Sequence, residues 1–127
     1  MQKILVVEDD KFLSSALRVK LEKSGFEVKT ALDGQEGIEV LAAFTPDIIL
    51  LDLIMPRKDG FAVLEYLKSN DAFKKIPVII ISNLGQKDDI DRGMRLGARD
   101  YFIKSEIPLA EVVVKIKTLL KSSTAQT

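Results

Sequence analysis

The sequence predicts one α/β domain in which a five-stranded parallel sheet carries helices on both faces. Short runs rich in Val and Ile alternate with segments of helical periodicity along a chain of 127 residues, 46% of them hydrophobic and 30% charged. Such runs are typical of strands buried on both faces. The length suits a single compact core. Right-handed crossovers between parallel strands then give a doubly wound sheet with five helices.

The first half of the chain contains three predicted strands and two predicted helices. The strands are the apolar runs 3–7, 27–31 and 47–51. The helix 11–24 follows from leucines that recur every four residues, and Gly25 provides its stop. The helix 33–43 opens with "DGQE", in which Asp33 can cap the helix and Glu36 can complete a capping box.

The second half contributes two strands and three helices, and a polar tail follows them. The strands are 76–82 and 100–103, and the helices are 58–69, 87–97 and 109–121. Two of the helices are clearly amphipathic. The helix 87–97 is predicted despite the interruption by Gly93, which lowers helix propensity. We expect residues 1–121 to form the domain and residues 122–127 to form the tail.

Composition limits the function. Nineteen basic and nineteen acidic side chains cancel, so no net field attracts nucleic acid or an anionic membrane, and neither is an expected partner. The absence of cysteine excludes disulfides and thiolate metal sites, and the start "MQKILVV" lacks a signal peptide or membrane span, which favours the cytoplasm. The absence of histidine removes the usual general base and any self-phosphorylated imidazole.

Acidic residues follow two strands at the edge where doubly wound sheets bind ligands. Glu8, Asp9 and Asp10 follow the first strand, and Asp52 follows the third. Carboxylates that converge repel one another, so the group favours a cation, and a set of oxygen ligands favours Mg²⁺. Capping of the next helix is the preferred role for Asp10. An isolated strand-end aspartate such as Asp52 could equally face solvent or cap a helix.

A hydroxyl and an ammonium group are expected at the same edge. Strand four ends in Ser82, and Lys104 follows strand five. A cation, a lysine and a hydroxyl around a carboxylate suit a phosphoryl group, because they neutralise its oxygens while the acid attacks in line. Singly, Ser82 could merely end a strand and Lys104 could be a solvated surface charge. The combination favours phosphoryl chemistry.

Four motifs, in order, are "ILVVEDD", "PDIILLDLIMPRKDG", "PVIIIS" and "GARDYFIK". From about residue 2 to 121 the chain resembles the receiver domain of two-component response regulators, in particular the single-domain, chemotaxis-type regulators. The resemblance implies the flavodoxin-like receiver fold with strand order 2-1-3-4-5. It also implies a cytoplasmic signalling switch that catalyses only its own phosphorylation and dephosphorylation.

The resemblance assigns the phosphoacceptor and the metal ligands. Asp52 is implied to accept a phosphoryl group in a Mg²⁺-dependent reaction. Asp9 is implied to bind Mg²⁺ directly and Glu8 to act through water, and the backbone carbonyl of Ile54 is implied to complete the protein ligands. The donor is expected to be a histidine kinase, a histidine phosphotransfer protein or a small acyl phosphate, because the chain itself has no histidine.

The resemblance also assigns a switch. Ser82 is implied to bind the phosphoryl group, Lys104 to pair with it, and Tyr101 to change rotamer as Ser82 moves. The surface of the last two helices and strand five is then expected to change and to control an unidentified protein partner. The chain is expected to be a monomer or a phosphorylation-dependent dimer, and the first helix is the family's usual docking element.

The sequence departs from the family pattern after strand five. The family has Lys-Pro with a cis peptide bond where this chain has Lys104-Ser105. A cis bond before Ser would cost about 2.5–4 kcal/mol, so the bond is either trans or strained.

Ile54 and Leu84 are apolar at positions beside the site and cannot orient a hydrolytic water, so we expect slow loss of phosphate. Val114 falls off the apolar face of the last helix and suggests a partner or dimer patch beside Tyr101.

Two other functions compete with the switch. A Mg²⁺-dependent phosphohydrolase with an aspartyl-phosphate intermediate would also use Asp52. Such an enzyme would need an acid or amide nearby to protonate a leaving group or position water, and "DLIMP" offers none. A small nucleotide- or flavin-binding protein would need a glycine-rich first loop, and the chain has "VEDDKF" there.

Overall fold

The computed structural model describes the backbone of residues 1–125 and the side chains of residues 1–121. The elements, in order, are β1 (Lys3–Val7), α1 (Lys11–Lys23), β2 (Glu27–Ala31), α2 (Gly34–Leu41), β3 (Ile48–Leu51), α3 (Gly60–Ser69), β4 (Val78–Ser82), α4 (Lys87–Arg95), β5 (Asp100–Ile103) and α5 (Leu109–Ala125). All strand pairs are parallel, and the order is β2-β1-β3-β4-β5. The predicted fold class and strand order are therefore confirmed.

Element boundaries differ from the predicted ones where a local group sets the end. β4 begins after Pro77, which has no N–H to donate to the sheet. α3 begins two residues late because Asp59 caps it by accepting from the Ala62 N–H at 2.9 Å. α5 continues to Ala125, four residues beyond the predicted end, because no Gly or Pro stops it. Residues 126 and 127 of the predicted tail lie outside the described residues.

Two hydrophobic cores lie on opposite faces of the sheet. β3 contributes to both, because successive side chains of a strand point to opposite faces. Ile49 and Leu51 pack in the core under α2, α3 and α4, whereas Ile48 and Leu50 pack in the core under α1 and α5. All four are fully buried. Each such side chain contributes about 1.5–3 kcal/mol to folding, so Asp52 follows a rigid central strand.

The helix starts on the site side of the sheet are capped by acidic side chains. Asp10 accepts from the N–H groups of Phe12 and Leu13 at 3.0 and 3.2 Å, which confirms its capping role. Asp33 accepts from the Glu36 N–H at 2.8 Å at the start of α2. The Glu36 carboxylate reaches the N–H of Leu32, at 3.4 Å, instead of that of the cap residue. Both caps direct helix N-termini toward the carboxyl edge of the sheet.

α4 lies unusually close to the sheet at Gly93. A Cβ at this position would be 2.7 Å from Ile80 Cδ1 and 3.3 Å from Tyr101 Cδ2. The glycine that weakens the helical pattern is therefore required by packing. Of the helices in the part of the chain that the structure describes, none has the length and apolar character needed to cross a membrane.

Candidate functional site

Neighbouring strands bring the predicted acids together at the carboxyl edge of the sheet. Val7 and Leu51 are partners in the β1–β3 register, so the next residues, Glu8 and Asp52, emerge side by side. Carboxylate oxygens of Glu8, Asp9 and Asp52 lie within 4.8 Å of one another. Glu8 is 0% exposed and Asp52 3% exposed, whereas Asp9 is open to solvent. The site is thus a pocket with two buried acids and one acid at its mouth.

Lys104 is the charge partner of both buried acids. Its Nζ lies 2.7 Å from Glu8 Oε1 and 3.1 Å from Asp52 Oδ2. The peptide after it, Lys104–Ser105, is trans, since no cis bond occurs in the part of the chain that the structure describes. Burial works against the charged ammonium, but the close contacts with the Glu8 and Asp52 carboxylates outweigh burial and raise the pKa of Lys104. The lysine reaches the site without the proline of the family pattern.

Glu8 is held in a more protonated state than an ordinary glutamate. Burial raises its pKa to about 7, and the nearby Asp52 charge acts in the same direction. The Lys104 ammonium and the Asp10 N–H, which donates to Oε2 at 3.0 Å, offset part of this effect. Glu8 Oε1 accepts no hydrogen bond of regular geometry, and its contact with Lys104 is an ion pair. A second cation here would lower the cost of ionising Glu8.

The donor atoms around this pocket fit Mg²⁺. They are oxygens only, which hard divalent cations prefer, and the exposed Asp9 leaves one side open for coordinating waters. The backbone carbonyl of Ile54 accepts no hydrogen bond from the described backbone amides, so it remains available as a ligand. The adjacent Leu53 carbonyl is occupied by the Gly60 N–H at 2.9 Å.

Ser82 and Tyr101 lie beside this pocket and contact the same loop. Ser82 is fully buried and its hydroxyl accepts from the Leu84 N–H at 3.2 Å. Its carbonyl accepts from the Lys104 N–H at 2.9 Å, which ties β4 to the lysine loop. The Tyr101 hydroxyl donates to the Leu84 carbonyl, and burial raises the Tyr101 pKa. The predicted hydroxyl, lysine and switch aromatic are therefore brought together at one end of the sheet.

The residues two positions after Asp52 and Ser82 are apolar. Ile54 is 58% exposed, and Leu84 is half-buried, so neither offers a polar group to water there. Val114 is exposed as predicted, but it lines a groove of about 300 Å³ between α1 and α5, together with Lys20 and Lys23. The expected patch beside Tyr101 is therefore wrong in its position. Helix α5 presents Val114 to α1 and not to β5.

Two features of the site were not predicted. Phe12, beside the cap of α1, is 91% exposed. It lies roughly 140–180° around the helix from the buried Leu17 and Leu21, so a helical wheel could have identified it. Arg57 forms an ion pair with Asp33, 24 residues away. No local pattern predicts that contact, because it depends on how two loops meet.

The chain is similar to known proteins over nearly its whole length. A family model described as response regulator receiver domain matches residues 4–117. The DNA-binding dual master transcriptional regulator RpaA of a Synechocystis strain is 35% identical over 95% of this chain and 50% of its own. The transcriptional regulatory protein PrrA of Mycobacterium tuberculosis is 40% identical over 94% of this chain and 50% of its own. The Mn²⁺-bound form of the response regulator Rcp1 is 31% identical, covers 93% of both chains, and superposes with a TM-score of 0.81.

Proposed function

Because this chain belongs to the response regulator receiver domain family, we propose that it is a signalling switch in which Asp52 accepts a phosphoryl group in a Mg²⁺-dependent reaction. The observation that carries the proposal is the contact of Lys104 with Asp52 and Glu8, at 3.1 and 2.7 Å, inside a pocket of three carboxylates. This arrangement supports the proposal, because an Asp52 oxygen beside an ammonium group and two further carboxylates could act as a nucleophile next to a bound divalent cation.

The chemical step needs little from the protein beyond position and charge. An Asp52 Oδ attacks phosphorus as the P–N bond of a phosphohistidine donor breaks, and the departing imidazole takes a proton from water. The Leu53 N–H donates to Asp52 Oδ1 at 2.8 Å and so holds the carboxylate in one orientation. Oδ2 faces Lys104, whose ammonium would pair with the transferred phosphoryl oxygens. Bound Mg²⁺ would neutralise charge that develops on those oxygens.

The switch follows from the new charge. A phosphoryl group on Asp52 adds a dianion that draws the hydroxyl of Ser82 and the ammonium of Lys104 toward it. Before phosphorylation, the Leu84 carbonyl accepts from the Tyr101 hydroxyl, and the Leu84 N–H donates to the Ser82 hydroxyl. Movement of Ser82 would therefore also move the loop that contacts Tyr101. Tyr101 then repacks, and the surface formed by α4, β5 and α5 changes shape. That surface would bind the downstream protein, in a monomer or in a phosphorylation-dependent dimer.

Receiver domains act with histidine kinases or phosphotransfer proteins, and we infer the same class of donor for this chain. The chain spans about half the length of the curated relatives it matches, which are transcriptional regulators by name. The chemotaxis-type, single-domain assignment and the expectation of no nucleic-acid partner therefore stay predictions. No observation favours the phosphohydrolase alternative, because Ile54 stands where a hydrolase would need a polar side chain.

Incubation with Mg²⁺ and acetyl phosphate, followed by intact mass measurement, tests the proposal. We expect the chain to gain one phosphoryl group and Asp52→Asn to gain none. Asp47→Asn is a matched control, since Asp47 lies at the opposite edge of the sheet, where it accepts from the Lys3 N–H. Equal labelling of Asp52→Asn would overturn the assignment. Release of phosphate so fast that no phosphorylated protein accumulates would favour the hydrolase instead.

A further inference from the structure

The loop between β3 and α3 contains one residue in a conformation that side chains rarely adopt. Arg57 has a φ of 66°, in the left-handed region that normally favours glycine. Its side chain is 55% exposed, so burial of the arginine does not force this conformation. A specific contact must therefore hold the backbone there.

That contact is a two-point ion pair with the residue that caps α2. Arg57 Nε donates to Asp33 Oδ2 at 2.9 Å, and its terminal nitrogen donates to Oδ1 at 3.1 Å. Paired hydrogen bonds of this kind fix geometry as well as charge. The Arg57 guanidinium and the Glu36 N–H together hold the pKa of Asp33 below its usual range. Asp33 therefore joins the start of α2 to the loop.

The backbone makes a second contact between the same two segments. A Cβ on Gly34 would lie 2.0 Å from the Lys58 carbonyl oxygen and 2.8 Å from Val63 Cγ2. Only glycine permits α2 to approach the loop so closely. The first residue of α2 thus rests on the loop backbone one residue after Arg57.

The loop itself is short and closed on the phosphoacceptor. The Gly60 N–H donates to the Leu53 carbonyl at 2.9 Å, so residues 53–60 form a ring. A Cβ on Gly60 would lie 2.1 Å from the Asp52 carbonyl oxygen, so the end of the ring presses on the backbone of Asp52. Ile54 belongs to this ring, three residues before Arg57. Displacement of the loop at Arg57 would therefore move the Ile54 carbonyl.

We propose that the start of α2 is a positioning element for cation binding, in which Asp33 and Gly34 hold the β3–α3 loop, and with it the Ile54 carbonyl, in one position relative to the acidic pocket. This inference rests on the proposed function, because it takes the Ile54 carbonyl as a ligand. Asp33 and Arg57 are positioning residues, since neither reaches the pocket itself.

The test compares two Asp→Asn variants that make the same chemical change. Asp33→Asn keeps a side chain able to cap α2 but removes the charge that pairs with Arg57. Asp71→Asn removes an exposed charge that pairs with Lys74 at 2.9 Å, beyond the far end of α3. Mg²⁺ affinity is measured by calorimetry at a temperature where both variants are fully folded. Hydrogen exchange of the Leu53 and Gly60 amides is measured in the metal-free proteins.

We expect Asp33→Asn to weaken Mg²⁺ binding about five-fold, the factor set by the upper range of one exposed ion pair, and to speed exchange of the loop amides. Arg57→Met should weaken Mg²⁺ binding and speed amide exchange to a similar extent. The double variant should show no further loss of Mg²⁺ affinity. Unchanged affinity and exchange in Asp33→Asn would overturn the inference, whereas failure of the unchanged chain to bind Mg²⁺ would overturn the proposed function.

Discussion

Replacing Glu8 with glutamine should stabilise the metal-free protein at alkaline pH. The buried carboxylate of Glu8 faces Asp52 and has a pKa of about 7, against an ordinary value of 4.5. Folding therefore favours the protonated acid. Between these two pH values the folded chain binds more protons than the unfolded chain, so the free energy of unfolding falls as pH rises. The loss of stability that ionised Glu8 causes is complete above about pH 7 and absent below about pH 4.5.

The size of the effect follows from the same values. At about 1.4 kcal/mol for each pH unit between the two pKa values, ionising folded Glu8 costs about 3 kcal/mol more than ionising it in the unfolded chain. Glu8 is 0% exposed, so solvent screening reduces this figure little. Glutamine keeps the shape and carries no charge, while Lys104 retains Asp52 as its partner at 3.1 Å. We therefore expect Glu8→Gln to raise the free energy of unfolding by about 2–3 kcal/mol at pH 8.

Urea unfolding in a buffer with a chelator measures this difference at pH 4 and pH 8. At pH 4 the two proteins should agree to within about 0.5 kcal/mol, because the acid is mostly neutral in both states. Glu22→Gln, on the exposed side of α1, is the control and should show no such pH dependence. A stability gain for Glu8→Gln that is the same at both pH values would refute the electrostatic reasoning.

Three further changes test other parts of the structure. Ile54→Asn should shorten the lifetime of phosphorylated protein several-fold, because an amide at this exposed position can orient water; phosphate release timed after removal of the donor measures it, and an unchanged or longer lifetime would count against the account. Gly60→Ala should lower the free energy of unfolding by about 2 kcal/mol or more, since its Cβ would meet the Asp52 carbonyl; urea unfolding that shows a loss below about 0.5 kcal/mol would contradict this contact. Phe12→Ala should leave stability within about 0.5 kcal/mol but slow phosphotransfer from a protein donor and not from acetyl phosphate; equal slowing with both donors would exclude a docking role.

The sequence predicts the fold well because its strands are central and apolar. The runs around Ile4 and Ile49 are buried on both faces, so hydrophobicity alone identifies them. The site acids are predictable for a related reason, since parallel strands end at one edge of a sheet. The site acids could therefore be predicted, because hydrophobicity locates the strands and the parallel topology brings their carboxyl ends to one edge.

The features that the sequence does not predict depend on contacts between segments far apart in the chain. Gly93 weakens the helical pattern of α4, yet the space beside Ile80 requires it. The raised pKa of Glu8 depends on burial and on Lys104, which lies 96 residues later and reaches it only in the folded protein. The ion pair of Asp33 with Arg57 likewise joins two loops. The spacing of residues along the chain does not indicate which distant residues meet in the folded protein.

The two hydrophobic cores would limit how far a change at Tyr101 spreads across the sheet. Along β5, Tyr101 packs against the core under α2, α3 and α4, whereas the next residue, Phe102, packs against the core under α1 and α5. A rotation of Tyr101 would therefore disturb side chains on one face of the sheet and leave Phe102 as a fixed support on the other. Methyl relaxation measurements should find the larger change in side-chain order on the Tyr101 face. The sheet would then act as a partial barrier, so that the change at α5, on the Phe102 face, is smaller than the change at α4.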